Sequence, residues 1–167
     1  MIRRCADADF SVIEGVINEA AQAYRGVIPA DCWHEPYMTV SALDTEMAAG
    51  VNFWGWDESG ALMGVMGLQQ VRDVTLIRHA YVRSAHQGRG IGGALLDFLA
   101  DRGTGPLLVG TWAAAVWAIR FYERHGFRLV SAAEKDRLLD TYWSIPSRQK
   151  ETSVVLSSTR YSSPTEM

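Results

Sequence analysis

The sequence predicts a mixed α/β (α+β) domain in which a mostly antiparallel sheet of six or seven strands is flanked by helices. Three strand-like segments follow one another between residues 51 and 82 with only short turns between them, which indicates an antiparallel meander. From residue 91 onward, helical and strand-like segments alternate up to residue 157. The 167 residues are 48% hydrophobic and 21% charged, an ordinary balance for one globular domain. We therefore expect a single domain over residues 1–157 and a flexible C-terminal tail at 158–167.

The first half of the chain contains the meander and the helices that precede it. Apolar residues recur at helical spacing over residues 10–24, and Asp7 or Asp9 is placed to cap that helix. The run Asp-Glu-Ser-Gly at 57–60 has turn chemistry and joins two strands into a hairpin. The expected elements are a strand at 2–5, helices at 10–24 and 41–49, a loop or short helix at 30–40, and strands at 51–56, 62–71 and 74–82.

The second half of the chain changes to helical periodicity. Ile91, Leu95 and Leu99 recur at i, i+4 and i+8, on one face of a helix that ends near Arg102. Gly126 is typical of the left-handed residue that closes a helix. The expected elements are helices at 91–102, 113–125 and 134–143, and strands at 107–111, 127–130 and 152–157.

Charge and composition exclude several classes of partner. Sixteen basic against nineteen acidic residues leave a net charge of −3, and the basic residues are scattered, so nucleic acid is not the expected partner. The apolar stretches are far shorter than a membrane span, and the N-terminus lacks the pattern of a secretion signal, so we expect no membrane partner and a cytoplasmic location. Cys5 and Cys32 lack CxxC spacing, and the histidines form no ligand motif, so we expect reduced thiols and no metal.

Four glycines, Gly88, Gly90, Gly92 and Gly93, cluster where the strand at 74–82 turns into the next helix. Each glycine in a helix interior costs about 1 kcal/mol, so the concentration favours a functional reason. Bare N–H groups at the positive end of a helix dipole suit an anion such as a pyrophosphate. A tight turn where a helix packs closely on a sheet explains the same residues structurally.

The glycine spacing also fits the G-x-G-x-x-G fingerprint of dinucleotide-binding proteins, but its context does not. That fingerprint opens the first βα unit of a parallel sheet, with an acidic residue at the end of the next strand. Here a meander comes first, and the next strand ends Val-Gly-Thr at 109–111 without an acid. A kinase glycine loop would continue into a strand, and the lysine of a P-loop is missing.

Two segments resemble motifs of the GNAT superfamily of N-acetyltransferases. Residues 87–92, Gln-Gly-Arg-Gly-Ile-Gly, are similar to the loop that binds the pyrophosphate of acyl-CoA, and they lie between the fourth strand and the third helix as in that family. Residues 118–127, Ala-Ile-Arg-Phe-Tyr-Glu-Arg-His-Gly-Phe, are similar to the family's A-x-x-F-Y-E-K-x-G-F segment. The resemblance covers residues 1–157 and implies a GNAT-like sheet that splays at its centre, between the strands at 74–82 and 107–111.

The resemblance also implies acetyl-CoA (coenzyme A) as co-substrate, with the pantetheine arm along the open edge of the strand at 74–82. One departure is Ala115, where many relatives carry an asparagine that contacts pantetheine. The residues expected to hold the cofactor are Ala80, Tyr81, Val82, Gln87, Gly88, Arg89, Gly90, Ile91, Gly92, Gly93, Trp117 and Arg124.

The implied reaction is direct attack of a primary amine, on a small molecule or a peptide, within a ternary complex. The absence of a G-x-S-x-G motif agrees with a route that has no covalent acyl-enzyme. Backbone N–H groups near 80–82 would stabilise the oxyanion. Tyr122 occupies the family's tyrosine position and would protonate the CoA thiolate, since its ordinary pKa of about 10 keeps it protonated at neutral pH. The alternative is a non-catalytic sensor that binds acyl-CoA, and the resemblance is compatible with a homodimer.

The residue that accepts the amine proton stays open among several candidates. Glu35 is the first choice, because it lies where relatives build the acceptor pocket, and His79 on the strand at 74–82 is the second. His34 and Arg78 are further candidates, although neighbouring strand residues face opposite sides unless a bulge intervenes. Tryptophans either line an acceptor cleft or fill the core, and among them Trp112 and Trp117 are the favoured site members.

Overall fold

A seven-stranded sheet forms the centre of the described part of the chain, in the order β1-β2-β3-β4-β5-β7-β6. The computed structural model describes residues 1–158. Its strands are β1 Ile2–Arg4, β2 Asn52–Glu58, β3 Ala61–Val71, β4 Val74–Val82, β5 Leu107–Trp112, β6 Phe127–Leu129 and β7 Ser153–Ser158. Its helices are α1 Phe10–Ala20, α2 Val40–Ala48, α3 Ile91–Ala100, α4 Val116–Arg124, α5 Ala132–Tyr142 and α6 Ser147–Glu151.

The expected fold class is confirmed, while several boundaries differ for local reasons. α1 tightens after Ala20 into a 3₁₀ turn at Ala21–Tyr24. α5 begins at Ala132, because the Ser131 hydroxyl caps it by accepting the Glu134 N–H. Residues 113–115, expected to be helical, form a turn before α4, and the sequence analysis missed α6. β7 extends to Ser158, and the rest of the expected tail, 159–167, lies outside the described residues.

The sheet splays between β4 and β5, as the family resemblance implied. These strands run parallel and pair only where residues 75–77 lie beside residues 107–109. β4 continues to Val82 and β5 to Trp112 without further pairing between them. A V-shaped gap therefore opens in the middle of the sheet, with the C-terminal half of β4 as one wall.

A β-bulge interrupts β4 at the edge of this gap. Gly67 pairs with Arg78 but Val65 pairs with Tyr81, so three steps on β4 oppose two on β3. The extra residue lies at His79, whose φ of +55° is in the left-handed region. The bulge puts two consecutive side chains, Arg78 and His79, on the same face of the sheet, where a regular strand would separate them.

Helices cover both faces of the sheet and fix the walls of the gap. α3 packs Ile91, Leu95 and Leu99 on one face, together with residues of α4. On the other face, α1 and α2 pack on β2 and β3, and α5 packs on β4 and β5 through Leu139 and Trp143. Within residues 1–158, no helix combines the length and apolarity needed to cross a membrane.

Candidate active site

A cavity of about 870 Å³ occupies the gap between β4 and β5. Its walls come from β4 and β5, from the glycine turn before α3, and from α1, α4 and α5. The cavity has two ends, which we name by their residues: the glycine-turn end at 86–93, and the bulge end at Arg78 and His79. One continuous space therefore joins the glycine turn to the bulge of β4.

The four glycines of the turn have two different structural reasons. Gly88 and Gly90 have φ of +79° and +81°, and a Cβ on either would meet no atom within 4 Å. Gly92 and Gly93 lie against α4, where a Cβ on Gly93 would come within 2.7 Å of the His125 ring. The first pair makes a left-handed turn into open space, and the second permits close helix packing.

The glycine-turn end is suited to an anion. Gly90 is the N-cap of α3, and no side chain of residues 1–158 caps that helix. The first N–H groups of a helix have no intrahelical acceptors, so they are available here. His86, Arg124 and His125 also line this end of the cavity. Free N–H groups at a helix N-terminus, with basic side chains around them, form an anion site.

β4 presents backbone polar groups to the middle of the cavity. The Arg83 N–H donates to the Met63 carbonyl of β3 at 2.8 Å, so the groups of Val82 point the other way, toward the gap. The Val82 carbonyl accepts from Nε2 of Gln87 at 3.2 Å, which agrees with this orientation. By the same alternation, the Ala80 N–H faces the gap. Ala80, Tyr81 and Val82 all line the cavity, as the sequence analysis expected.

Tyr122 of α4 lies in the cavity wall with little exposed surface. Its ring packs edge-on against Phe121 at 5.1 Å and Phe127 at 5.7 Å between ring centroids. Burial raises the pKa of Tyr122 above its ordinary value, because the phenolate is poorly solvated there. The hydroxyl is therefore protonated at neutral pH and able to donate.

The bulge end holds a buried group of three polar side chains. Arg78 donates from Nη2 to Oε1 of Glu46 at 3.1 Å and from Nη1 to Oε1 of Gln69 at 3.0 Å. Nε2 of His79 lies 3.3 Å from Oε2 of Glu46 but outside hydrogen-bond geometry. Arg78 and His79 line the cavity, and Glu46, on α2, lies behind them.

Burial and the charges around His79 determine its protonation. Burial lowers the pKa of His79 below its ordinary 6.5 and the Arg78 charge lowers it further, while Glu46 acts in the opposite direction. For Glu46, burial alone would raise the pKa, but His79 and Arg78 together hold it below its ordinary value. The cluster at neutral pH therefore consists of a neutral imidazole, a carboxylate and a guanidinium.

Aromatic side chains line the cavity beside the bulge. Tyr24 contacts the Tyr37 and Trp117 rings, with centroids 5.4 and 5.9 Å away. Nε1 of Trp112 donates to the Tyr37 hydroxyl at 2.8 Å. Burial raises the pKa of Tyr24 to about 12 and that of Tyr81 well above its ordinary value, so these hydroxyls stay neutral. This wall is apolar and carries neutral hydroxyl groups.

Known proteins are similar to this chain in sequence and in fold. The profile of the acetyltransferase (GNAT) domain matches residues 49–129, which include β3, β4, the glycine turn, α3 and α4. The peptidyl-lysine N-acetyltransferase YiaC of Escherichia coli is 27% identical over 143 residues, which cover 86% of this chain and 93% of that protein. The chain belongs to the GNAT superfamily. As an enzyme, it is classed with the acetyl-CoA-dependent N-acetyltransferases.

Solved GNAT structures share the fold at low sequence identity. The PaiA N-acetyltransferase of Thermoplasma acidophilum, in complex with coenzyme A, has a TM-score of 0.69 and 16% identity over 95% of this chain and 97% of that one. A GNAT acetyltransferase of Staphylococcus aureus has a TM-score of 0.68 and 15% identity, with the same two coverages. The sheet and its splay are therefore those of the superfamily.

Two residues proposed for the GNAT site lie outside the cavity. Glu35 has a side chain 53% exposed and sits 3.6 Å from Arg25. Arg89, expected at the cofactor, instead pairs with Glu58 and lies 2.8 Å from Nδ1 of His86. Neither belongs to the cavity wall, and each side chain forms an exposed ion pair instead.

The other cofactor residues inferred from the GNAT motifs do line the cavity. They are Ala80, Tyr81, Val82, Gln87, Gly88, Gly90, Ile91, Gly92, Gly93, Trp117 and Arg124. Ala115, where many GNAT relatives have asparagine, is fully buried at the N-cap of α4. His34 is outside the wall, with Nδ1 2.8 Å from the Pro36 carbonyl oxygen.

Glu46 and the cavity-lining Trp143 were not predicted as site residues from the sequence. Glu46 is the only acidic residue between Asp44 and Asp57, on a helix with no motif, so its contact with β4 left no sequence signal. Trp143 ended a predicted helix, and its packing against Gly110 depends on the strand order. Within residues 1–158, no three His, Cys, Asp or Glu side chains are grouped as a metal site requires.

Proposed function

We propose that this protein transfers an acetyl group from acetyl-CoA to a primary amine by direct attack in a ternary complex. The observation that carries the proposal is the continuous cavity, which joins an uncapped helix N-terminus to a buried neutral imidazole and a buried tyrosine. The E. coli relative acetylates a peptidyl-lysine, according to its name. The side-chain amine of lysine is also a primary amine.

The glycine-turn end fits the diphosphate of CoA. Backbone N–H groups at the start of α3 supply hydrogen bonds, and the open space beside Gly88 and Gly90 lets phosphate oxygens approach them. Arg124, His86 and His125 supply positive charge. The gap edge of β4 then offers backbone groups to the amide-bearing pantetheine arm. Gln87 occupies one of them, the Val82 carbonyl, in this structure.

His79 is the proton acceptor that we assign to the amine. An ammonium group cannot attack until it loses a proton, and a neutral imidazole in the cavity wall can take it. Glu46 and Arg78 act as positioning residues: Glu46 faces Nε2, and Arg78 holds the Glu46 carboxylate in place. Since His79 is neutral before the reaction, it has the protonation state that a base requires.

A backbone N–H of β4 and the Tyr122 hydroxyl complete the reaction. Bound acetyl-CoA supplies a thioester carbonyl as the electrophile. The amine nitrogen forms a bond to the carbonyl carbon, the Ala80 N–H stabilises the resulting oxyanion, and the C–S bond then breaks. Tyr122 gives its proton to the departing thiolate and regains one as the nitrogen, positively charged after the attack, loses its second proton. His79 returns to its neutral form by releasing the first proton to solvent.

Thiol release and mass spectrometry together test this function. An amine panel with acetyl-CoA should release CoA thiol in proportion to N-acetylated product. Any turnover eliminates the alternative of a sensor that binds acyl-CoA without reaction. Stoichiometric, kinetically competent acetylation of one side chain in protein mixed with acetyl-CoA alone would contradict direct attack. Failure to bind acetyl-CoA by calorimetric titration would remove the proposal altogether.

A further inference from the structure

The bulge end places a cation and a proton acceptor side by side, which bears on the acceptor. We propose that the acceptor is an amino acid: one primary amine, a carboxylate on the carbon next to it, and an apolar or aromatic side chain. This inference rests on the proposed acetyl transfer and names the substrate class for it. Arg78 binds the carboxylate, and His79 receives the amine.

Arg78 keeps hydrogen-bonding capacity for a ligand. Its guanidinium carries five N–H groups, and the bonds to Gln69 and Glu46 use one on each terminal nitrogen. The Nε N–H has no acceptor among residues 1–158. The side chain is only 14% exposed, yet it lines the cavity. A carboxylate with paired oxygens suits such a guanidinium.

The charge around the cavity favours an anion at this end. Within the described chain, the wall contains no aspartate or glutamate, whereas Arg78, His79, His86, Arg124 and His125 all contribute to it. The last three lie at the glycine-turn end, where CoA phosphates balance them. An acceptor with a second ammonium group would find no carboxylate in the described wall, and Glu46 behind it is already paired with Arg78, so the site disfavours polyamines.

Proton transfer adds a requirement for one negative charge. Before the reaction, Arg78 and Glu46 balance each other and His79 is neutral. Once His79 takes the amine proton, the three side chains carry a net charge of +1 in a buried place. A carboxylate on the acceptor restores neutrality there, which stabilises the state in which the amine is free to attack.

The adjacency of Arg78 and His79 suits an α-amino acid. Only one carbon separates the amine from the carboxylate in that molecule, and Arg78 and His79 are consecutive residues on one face because of the bulge. The rings of Tyr24, Tyr37 and Trp143 contribute to the wall of the same cavity. Gly110 of β5 lies against the Trp143 ring, which a Cβ there would meet at 3.4 Å, an ordinary van der Waals contact. This lining suits an apolar or aromatic side chain.

Matched acids and amides test the assignment on the unmodified protein. We would measure kcat/KM by thiol release for L-phenylalanine against L-phenylalaninamide, L-leucine against L-leucinamide, spermidine, and a blocked lysine peptide. The acids should be preferred over their amides by roughly 10- to 100-fold, the value of a charge-assisted hydrogen bond. The amide has the less basic and more readily deprotonated amine, so intrinsic reactivity cannot produce this preference.

An arginine variant and its control locate the effect. Arg78→Gln should reduce the acid-to-amide ratio of kcat/KM by at least about 10-fold, because the charge that selects the carboxylate is removed. Calorimetric titration with CoA checks that this variant is folded. Arg25→Gln removes an exposed arginine outside the cavity and should leave the ratio unchanged. If Arg78→Gln does not fold, the wild-type acid and amide pairs decide alone.

The possible outcomes separate this inference from the proposed function. Equal or better turnover of amides, spermidine or the lysine peptide would overturn the amino-acid assignment and leave acetyl transfer standing. If no amine is turned over, titration of the CoA-bound protein with L-phenylalanine and L-leucine decides, and absence of binding overturns the assignment. Failure of the unmodified protein to bind CoA would instead contradict the proposed function.

Discussion

Oε2 of Glu46 on α2 lies 3.3 Å from Nε2 of His79 on β4, although 33 positions separate the two residues. The contact exists because the bulge turns His79 onto the face of the sheet that α2 covers. Arg78 lies beside both and binds the same carboxylate. The buried imidazole of His79 therefore has Glu46 on one side and the cavity on the other.

His79→Asn should lower kcat/KM by about 10²- to 10⁴-fold, the usual contribution of a general base. Asparagine tolerates the left-handed φ of +55°, so the bulge is kept while the proton acceptor is lost. The wild-type rate should fall as the pH drops through the His79 pKa, which lies below 6.5, and this acid limb should vanish in the variant. His34→Asn, outside the cavity, serves as the control. An unchanged acid limb in His79→Asn would contradict the assignment.

Glu46→Gln should shift the acid limb of the wild-type pH profile to lower pH. The Glu46 carboxylate raises the pKa of His79 against burial, so removing its charge lowers that pKa further. The pH profile of kcat/KM measures the shift, which a purely structural contact would not produce. Glu35→Gln is the matched control: its side chain is half exposed and outside the cavity, so its profile should equal that of the wild type. If Glu35→Gln alone changed the profile, Glu35 would be restored as the base.

Tyr122→Phe should reduce kcat by at least about 10²-fold with little change in the KM for acetyl-CoA, because it removes only the proton donor. The ring still fills its place between Phe121 and Phe127, so thermal stability should stay close to that of the wild type. Steady-state kinetics and a thermal melt test both statements. Tyr142→Phe is the control, since its hydroxyl donates to Asp73 at the surface. A fully active Tyr122→Phe would leave thiolate protonation to solvent.

Gly90→Glu should weaken CoA binding by at least about 10-fold, because a carboxylate would occupy the N-terminus of α3 that receives the diphosphate. A left-handed φ also strains any non-glycine residue by about 1–2 kcal/mol, so a moderate loss of stability is expected as well. Gly60→Glu separates the two effects. Gly60 has a similar φ of +88° and similar free space, but it lies in the β2–β3 hairpin turn. Calorimetric titration of both variants should show loss of CoA affinity in Gly90→Glu alone.

Local sequence determined the element types and the glycine-turn end of the site. Periodicity identified the strands of the meander and the helix that begins at Ile91. The backbone geometry of a strand or a helix sets how often an apolar side chain recurs on the buried face, and this pattern is visible within a few residues. The motif at 87–92 could likewise be recognised from one segment, since its left-handed glycines and the start of α3 are neighbours in the chain. Such features can be read from a single segment.

Only the tertiary structure decided the bulge end of the cavity. Glu46, Arg78 and Trp143 come from α2, β4 and the end of α5, and no short-range pattern links them. One extra residue in β4 reversed the expected direction of a side chain, and Glu35 lies at the surface beside Arg25. A sequence predicts which residues can bind or transfer a proton. Which of them meet depends on strand register and helix packing, since these bring distant segments within hydrogen-bond distance.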